Sequence, residues 1–188
     1  MTGTIDNPTL NSPYEQPDRH YVIGPQGPTG EIRDGRRPSE SFIPIAVSKK
    51  GKKGGDGSEQ EGFDFDATHE RRAKNSLIND IRRDVEKWRR DGQYAGVTPI
   101  SRKLLQHWAD PARENRVIFA QREAAETAIF LTEVAGRHAP YADWRKRLEP
   151  ENEAHNGGLP RAALKMATGS GKTIVMAMLI AWQTLNKQ

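Results

Sequence analysis

Residues 167–173 read Ala-Thr-Gly-Ser-Gly-Lys-Thr and place two glycines, a lysine and a hydroxyl within one short stretch. Glycines at positions 169 and 171 allow main-chain N–H groups to converge on one point, and such a nest binds anions. Lys172 adds a cation that can reach the outer phosphates of a nucleotide, and the hydroxyl of Thr173 is a suitable ligand for Mg²⁺. The stretch therefore predicts a loop that binds a nucleotide triphosphate.

Such a loop is normally held between a strand and a helix. The sequence after it, residues 172–186, is apolar nearly all round and predicts a buried helix whose positive dipole end faces the phosphates. We expect a strand over 161–167, although this assignment comes from the motif, because Ala, Leu, Lys and Met favour helix.

The general pattern Gly-x-x-x-x-Gly-Lys-Ser/Thr would place a glycine at position 166, where this chain has Met166. This argues against adenylate-kinase-like proteins, small GTPases and transporter ATPases, which usually keep that glycine. Residues 165–173, KMATGSGKT, resemble motif I of superfamily 2 helicases and translocases, above all the helicase (Res) subunit of type III restriction enzymes and related DEAD/DEAH-box proteins. Residues 119–131, FAQREAAETAIFL, resemble the segment that carries the Q motif in that subgroup, and residues 75–108 are similar to the N-terminal extension of some members.

The resemblance, which covers roughly residues 66–188, implies an ATP-dependent DNA helicase or translocase in the cytoplasm, with DNA and a methyltransferase or other restriction subunit as partners. The implied cofactors are ATP and Mg²⁺, with Lys172 and Thr173 as catalytic residues and Thr173 as the Mg²⁺ ligand. In these proteins a glutamine recognises adenine, because its amide offers both a hydrogen-bond donor and an acceptor. Gln121 is the matching position in this chain. The implied ATP-binding residues are Thr168, Gly169, Ser170, Gly171, Lys172, Thr173 and Gln121.

The implied fold class is α/β, with a RecA-like P-loop lobe that begins within 139–188 after a polar linker. We expect a mainly helical extension over 66–138 and a disordered tail over 1–65, because proline, glycine and lysine dominate the tail. Within the tail, the apolar residues 41–47 are a candidate docking strand. The lysines of 49–53 are a candidate contact for a nucleic-acid backbone or part of a solvated linker.

Apolar periodicity predicts four helices before the loop. The first covers 68–90 and carries a basic face that either follows phosphates or is simply solvated. The second begins with Thr98 as the cap and Pro99 in the first turn, and it ends at Asp110-Pro111. A largely buried third helix is expected over 116–135, and a short fourth one over 141–148.

Phosphoryl transfer to water also needs a Walker B carboxylate and a residue that positions the water, and helicases add an arginine finger. These groups would follow motif I, yet residues 174–188 contain no Asp or Glu. We therefore expect this chain to be the N-terminal part of an ATP-driven motor. By itself, the chain should not hydrolyse ATP. Two alternatives stay open: a fragment of another P-loop ATPase, and a non-enzymatic nucleic-acid-binding module.

Composition limits other functions. The chain has no cysteine, which excludes disulfides and thiolate metal sites, and its histidines show no paired ligand spacing. A formal net charge of +4 permits a polyanionic partner. The longest apolar run, 174–182, is far shorter than the ~20 residues that span a bilayer.

Overall fold

A computed structural model describes residues 9–24, 27–44, 70–159 and 161–187. Two antiparallel ribbons lie in its N-terminal part. Strand β1 (Arg19–Gly24) pairs with β2 (Gly27–Asp34) as a hairpin with an irregularity between Tyr21 and Ile23. Strand β3 (Glu40–Pro44) pairs with β4 (Glu70–Lys74). The fold is thus broadly α/β, with small antiparallel sheets in its described part.

The prediction of a disordered tail over 1–65 is wrong for 9–24 and 27–44, which contain three strands. The amino-acid composition suggested disorder, but these residues are ordered by contacts with distant segments of the chain. Phe119 donates its main-chain N–H to the Pro13 carbonyl at 2.8 Å, and Arg36 binds both carboxylate oxygens of Glu123. The candidate docking strand 41–47 is paired over 41–44. The lysines of 49–53 lie outside the described residues.

The described residues after β4 form five α-helices: α1 (Ser76–Arg90), α2 (Pro99–Ala109), α3 (Phe119–Ile129), α4 (Trp144–Asn156) and α5 (Lys172–Asn186). A π-helical turn, Phe130–Val134, continues α3 directly. The predicted boundaries of α2 and α5 are confirmed, and α3 with its π-turn lies within the predicted range 116–135.

Three local predictions are wrong. The first helix begins at Ser76 instead of 68, because residues 70–74 pair with β3 and so cannot be helical. Residues 161–167 form no strand, and no described strand lies beside them to supply ladder hydrogen bonds. The fourth helix runs to Asn156, well past the predicted end at 148, and contains Pro150.

The hydrophobic core lies among the helices. Trp88 of α1 is fully buried and contacts the rings of Tyr94 and Phe130, at centroid distances of 5.1 and 5.4 Å. Met178 and Trp182 join the same cluster from α5, so the helix after the glycine-rich loop packs on other helices. No described helix combines the length and apolarity that crossing a bilayer requires.

A polar cluster ties the start of α2 to the end of α5. The Thr98 hydroxyl accepts a hydrogen bond from the Ser101 N–H at 3.1 Å, which caps α2. The Glu133 carboxylate accepts from the Thr98 N–H at 2.8 Å and from the Trp182 indole at 2.7 Å. Glu133 therefore links the start of α2 to the helix that carries the loop.

We expect Thr98→Ala to lower the free energy of unfolding by about 1–2 kcal/mol, the usual cost of losing a threonine cap. Urea denaturation monitored by circular dichroism measures this. The matched control is Thr184→Ala on exposed α5 surface, which should change the free energy by less than about 0.5 kcal/mol. Equal effects of the two changes would show that the cap contributes nothing.

Candidate nucleotide-binding site

The glycine-rich loop closes through a tight turn. The Ser170 N–H donates to the Ala167 carbonyl at 3.4 Å, and the Ser170 hydroxyl donates to the same oxygen at 2.6 Å. Gly169 has φ +79° within this turn, and a side chain there would be strained although no atom lies nearby to obstruct it. The glycine is thus required by backbone conformation, and it leaves open space beside the loop.

Lys172 begins α5 and extends back over the loop. Its ammonium group donates to the Ala167 carbonyl at 2.9 Å, and the side chain is exposed. A phosphate would compete with this neutral carbonyl for the ammonium. The competition favours the phosphate, because hydrogen bonds between two charged groups are stronger than those to a neutral acceptor.

The first turn of α5 supplies further donors. In the described part of the chain, the main-chain N–H groups of Gly171, Lys172 and Thr173 make no hydrogen bond, as is usual for the start of a helix. Thr173 is exposed on the same turn. Free N–H groups and the positive end of the helix dipole are an arrangement that suits an anion. Thr168 is also exposed in the loop.

Gln121 lies against this loop, although 49 residues separate it from Ser170. Its side-chain N–H donates to the Ser170 carbonyl at 3.1 Å, and its side-chain oxygen accepts from the Ile118 N–H at 3.2 Å. The residue is only 5% exposed, so its side chain does not face solvent. The structure therefore brings Gln121 together with the predicted phosphate-binding residues.

The contact with Gln121 also accounts for Gly171. This residue caps α5 with φ +77°, and a Cβ atom added to it would collide with the amide nitrogen of Gln121. Glycine is thus needed here for its conformation and for the close approach of the amide. The loop, α5 and the start of α3 form one packed unit around this contact.

A charged cluster beside this unit was missed by the sequence reasoning. Glu126 of α3 is fully buried, accepts from Arg89 Nε at 2.8 Å and from the Tyr94 hydroxyl at 2.7 Å, and lies 3.5 Å from Arg122 Nε. Burial, and next the Glu126 charge, raise the pKa of Tyr94 far above its usual range, so the phenol remains a donor. The only signal in the sequence was an acidic residue among alanines in a helix predicted to be buried.

The guanidinium groups of this region also surround an aromatic ring. Arg36, Arg89 and Arg122 lie over the Phe119 ring, with their central carbons 5.1–5.6 Å from its centroid. Cation–π attraction at such distances contributes about 0.5–2 kcal/mol per pair, depending on solvent access. The cluster holds the first turn of α3, and with it Gln121, in position.

Among the described residues, no group of three or more His, Asp or Glu side chains could hold a metal ion. Thr173 offers a single hydroxyl, which fits Mg²⁺ only when phosphates and waters supply the remaining ligands. The donor set thus suits a metal that arrives with a nucleotide.

The fold and the loop define this chain as a broadly α/β protein with a candidate phosphate-binding loop. Comparison with protein-family models, with curated proteins and with solved structures finds no match to this chain.

Proposed function

We propose that this chain binds ATP–Mg²⁺ through residues 167–173 and Gln121, and that it forms part of an ATP-dependent DNA helicase or translocase. The proposed class is superfamily 2, of the type III restriction subunit kind. Its proposed partners are DNA and a methyltransferase or other restriction subunit, and its proposed compartment is the cytoplasm. The proposal includes a RecA-like P-loop lobe that contains this loop.

The observation that carries the proposal is the 3.1 Å hydrogen bond from Gln121 to Ser170. Motif resemblance assigned these two residues to one nucleotide site, although they are far apart in the chain. Their contact, their burial and the fit of Gly171 around the amide support a common site. A glycine-rich turn that does not bind a nucleotide would not be expected to contact Gln121, which matches the adenine-binding glutamine of the family.

Each residue has a proposed task. Lys172 binds the β- and γ-phosphates as a point charge, the N–H groups of 171–173 bind their oxygens, and the Thr173 hydroxyl binds Mg²⁺. Gln121 has two tasks: it holds the loop through Ser170, and its second amide N–H is available to adenine N7. Its oxygen has two lone pairs, so it can keep the Ile118 N–H and also accept from the adenine amino group.

We expect Gln121→Ala to weaken the binding of both ATP and GTP, and that of ATP by about tenfold more. Loss of the loop contact affects both nucleotides, whereas an unpaired adenine edge affects ATP alone and costs about 1–3 kcal/mol. Isothermal titration calorimetry of the 188-residue chain with each nucleotide and Mg²⁺ measures the difference.

The matched control is Gln183→Ala on the exposed side of α5, which should leave both affinities unchanged. Equal weakening of ATP and GTP by Gln121→Ala would remove the adenine contact from the proposal and keep the positioning role. If the unmodified chain binds neither nucleotide, the proposed function is wrong.

A further inference from the structure

A basic pocket, which shares no lining residue with the loop, lies between the N-terminal hairpin and α1. It is a pocket of about 380 Å³, a size at the lower end of that of small-ligand sites. Four arginines line it together with a histidine and a tyrosine, and none of its described lining residues is acidic. The six are Arg19, Arg36, Arg37, Arg82, His20 and Tyr21.

Two of these arginines are already engaged. Arg36 forms a two-pronged pair with Glu123, so that guanidinium already has a carboxylate partner. Arg19 donates to the Leu10 carbonyl at 3.2 Å and lies 3.6 Å from Asp18. These contacts fix the walls of the pocket.

Arg37 and Arg82 differ from them. Both are partly buried, and neither forms an ion pair or a hydrogen bond with any residue that the structure describes. The pocket therefore holds two positive charges that have lost part of their hydration without forming a direct pair with a described carboxylate. Removing an unpaired charge from water costs free energy, and the cost grows with the share of hydration that is lost.

The pKa of Arg82 reflects this cost. Burial lowers the pKa of Arg82, and the nearby positive charge of Arg36 lowers it further, while Glu123 partly opposes both. The guanidinium nevertheless stays charged at neutral pH. An anion in the pocket would reduce the penalty, since it would supply a directly paired opposite charge, which no described residue gives to Arg82.

We propose that this pocket is a phosphate-binding site, separate from the loop at 167–173, in which Arg37 and Arg82 bind the phosphate oxygens. The planar fork of a guanidinium matches a phosphate with two parallel hydrogen bonds. The phosphate belongs either to a small molecule or to the backbone of a nucleic acid, and both present the same oxygens to the pocket. The site goes beyond ATP binding, because it shares no residue with the proposed nucleotide site.

The test uses the full chain carrying Lys172→Ala, so that the glycine-rich loop contributes little to phosphate binding. One arm measures the shift in melting temperature with pyrophosphate against sodium chloride at equal ionic strength. The other measures fluorescence anisotropy of a fluorescein-labelled DNA duplex. A response to pyrophosphate indicates a small-molecule source, and a response to DNA alone indicates a backbone phosphate.

In the responding arm, Arg37→Gln and Arg82→Gln should each weaken binding by about tenfold, as expected for loss of a charged hydrogen-bonded contact. The matched controls are Arg33→Gln and Arg83→Gln, which remove the same charge from exposed arginines paired with Glu31 and Asp80. We expect less than about a twofold change from either, because exposed and paired charges act only through the screened overall field.

Arg82→Gln should not lower the melting temperature without an anion, because it removes an unpaired, partly desolvated charge. If Arg82→Gln does unfold the chain, the test relies on Arg37→Gln. No response in either arm, or equal weakening by pocket and control variants, would overturn the proposed site. Neither outcome bears on ATP binding, which is measured with Lys172 present.

Discussion

Replacement of Lys172 by alanine should weaken the binding of ATP–Mg²⁺ to this chain by about 10- to 100-fold. Hydrogen bonds that involve charged groups contribute about 1.5–3 kcal/mol, and each 1.4 kcal/mol is a factor of ten in affinity. Lys172 is the one side-chain cation of 167–173, and its ammonium already lies over the loop at the Ala167 carbonyl. Titration calorimetry with ATP and Mg²⁺ measures the loss.

The matched control is Lys165→Ala, which removes an exposed lysine two residues before the loop. It alters net charge equally but leaves the loop intact, so affinity should change by less than about twofold. If both variants bind ATP as the unmodified chain does, residues 167–173 are not the nucleotide site. If the chain is part of the proposed motor, Lys172→Ala should also abolish ATP hydrolysis by that motor, because the same ammonium would bind the transferred phosphate.

The largest expected loss of stability follows from Glu126→Ala. This change should lower the free energy of unfolding by about 3–5 kcal/mol, the usual cost of leaving a buried charge without its partner. Arg89, whose side chain is 12% exposed, would lose a carboxylate 2.7 Å away, and the buried Tyr94 hydroxyl would lose its acceptor. Urea denaturation at neutral pH measures the difference.

Glu149→Ala is the matched control, since Glu149 forms an exposed pair with Arg145 at 2.8 Å. Exposed pairs contribute about 0–1 kcal/mol, so the change should be small. The double variant Glu126→Leu with Arg89→Met separates the two causes. If unpaired charge is the main cost, it should be more stable than Glu126→Ala. A loss below about 1 kcal/mol for Glu126→Ala would show that the buried cluster stabilises little.

Local sequence signals determined the parts of this protein that depend on neighbouring residues. The start of α2 was predictable because the hydroxyl of Thr98 and the ring of Pro99 act within one turn. The start of α5 and the need for glycine at 169 and 171 were also predictable, since left-handed backbone is a property of single positions.

Only the tertiary structure decided features that join distant segments. Residues 70–74 form a strand because 40–44 lie alongside, and 161–167 form none because no described strand does. Spacing alone did not place Gln121 at Ser170; motif resemblance suggested it. Nothing in the sequence placed Arg37 and Arg82 in one pocket. Such contacts depend on how the chain packs as a whole, and the energies that select them do not appear in local composition or periodicity.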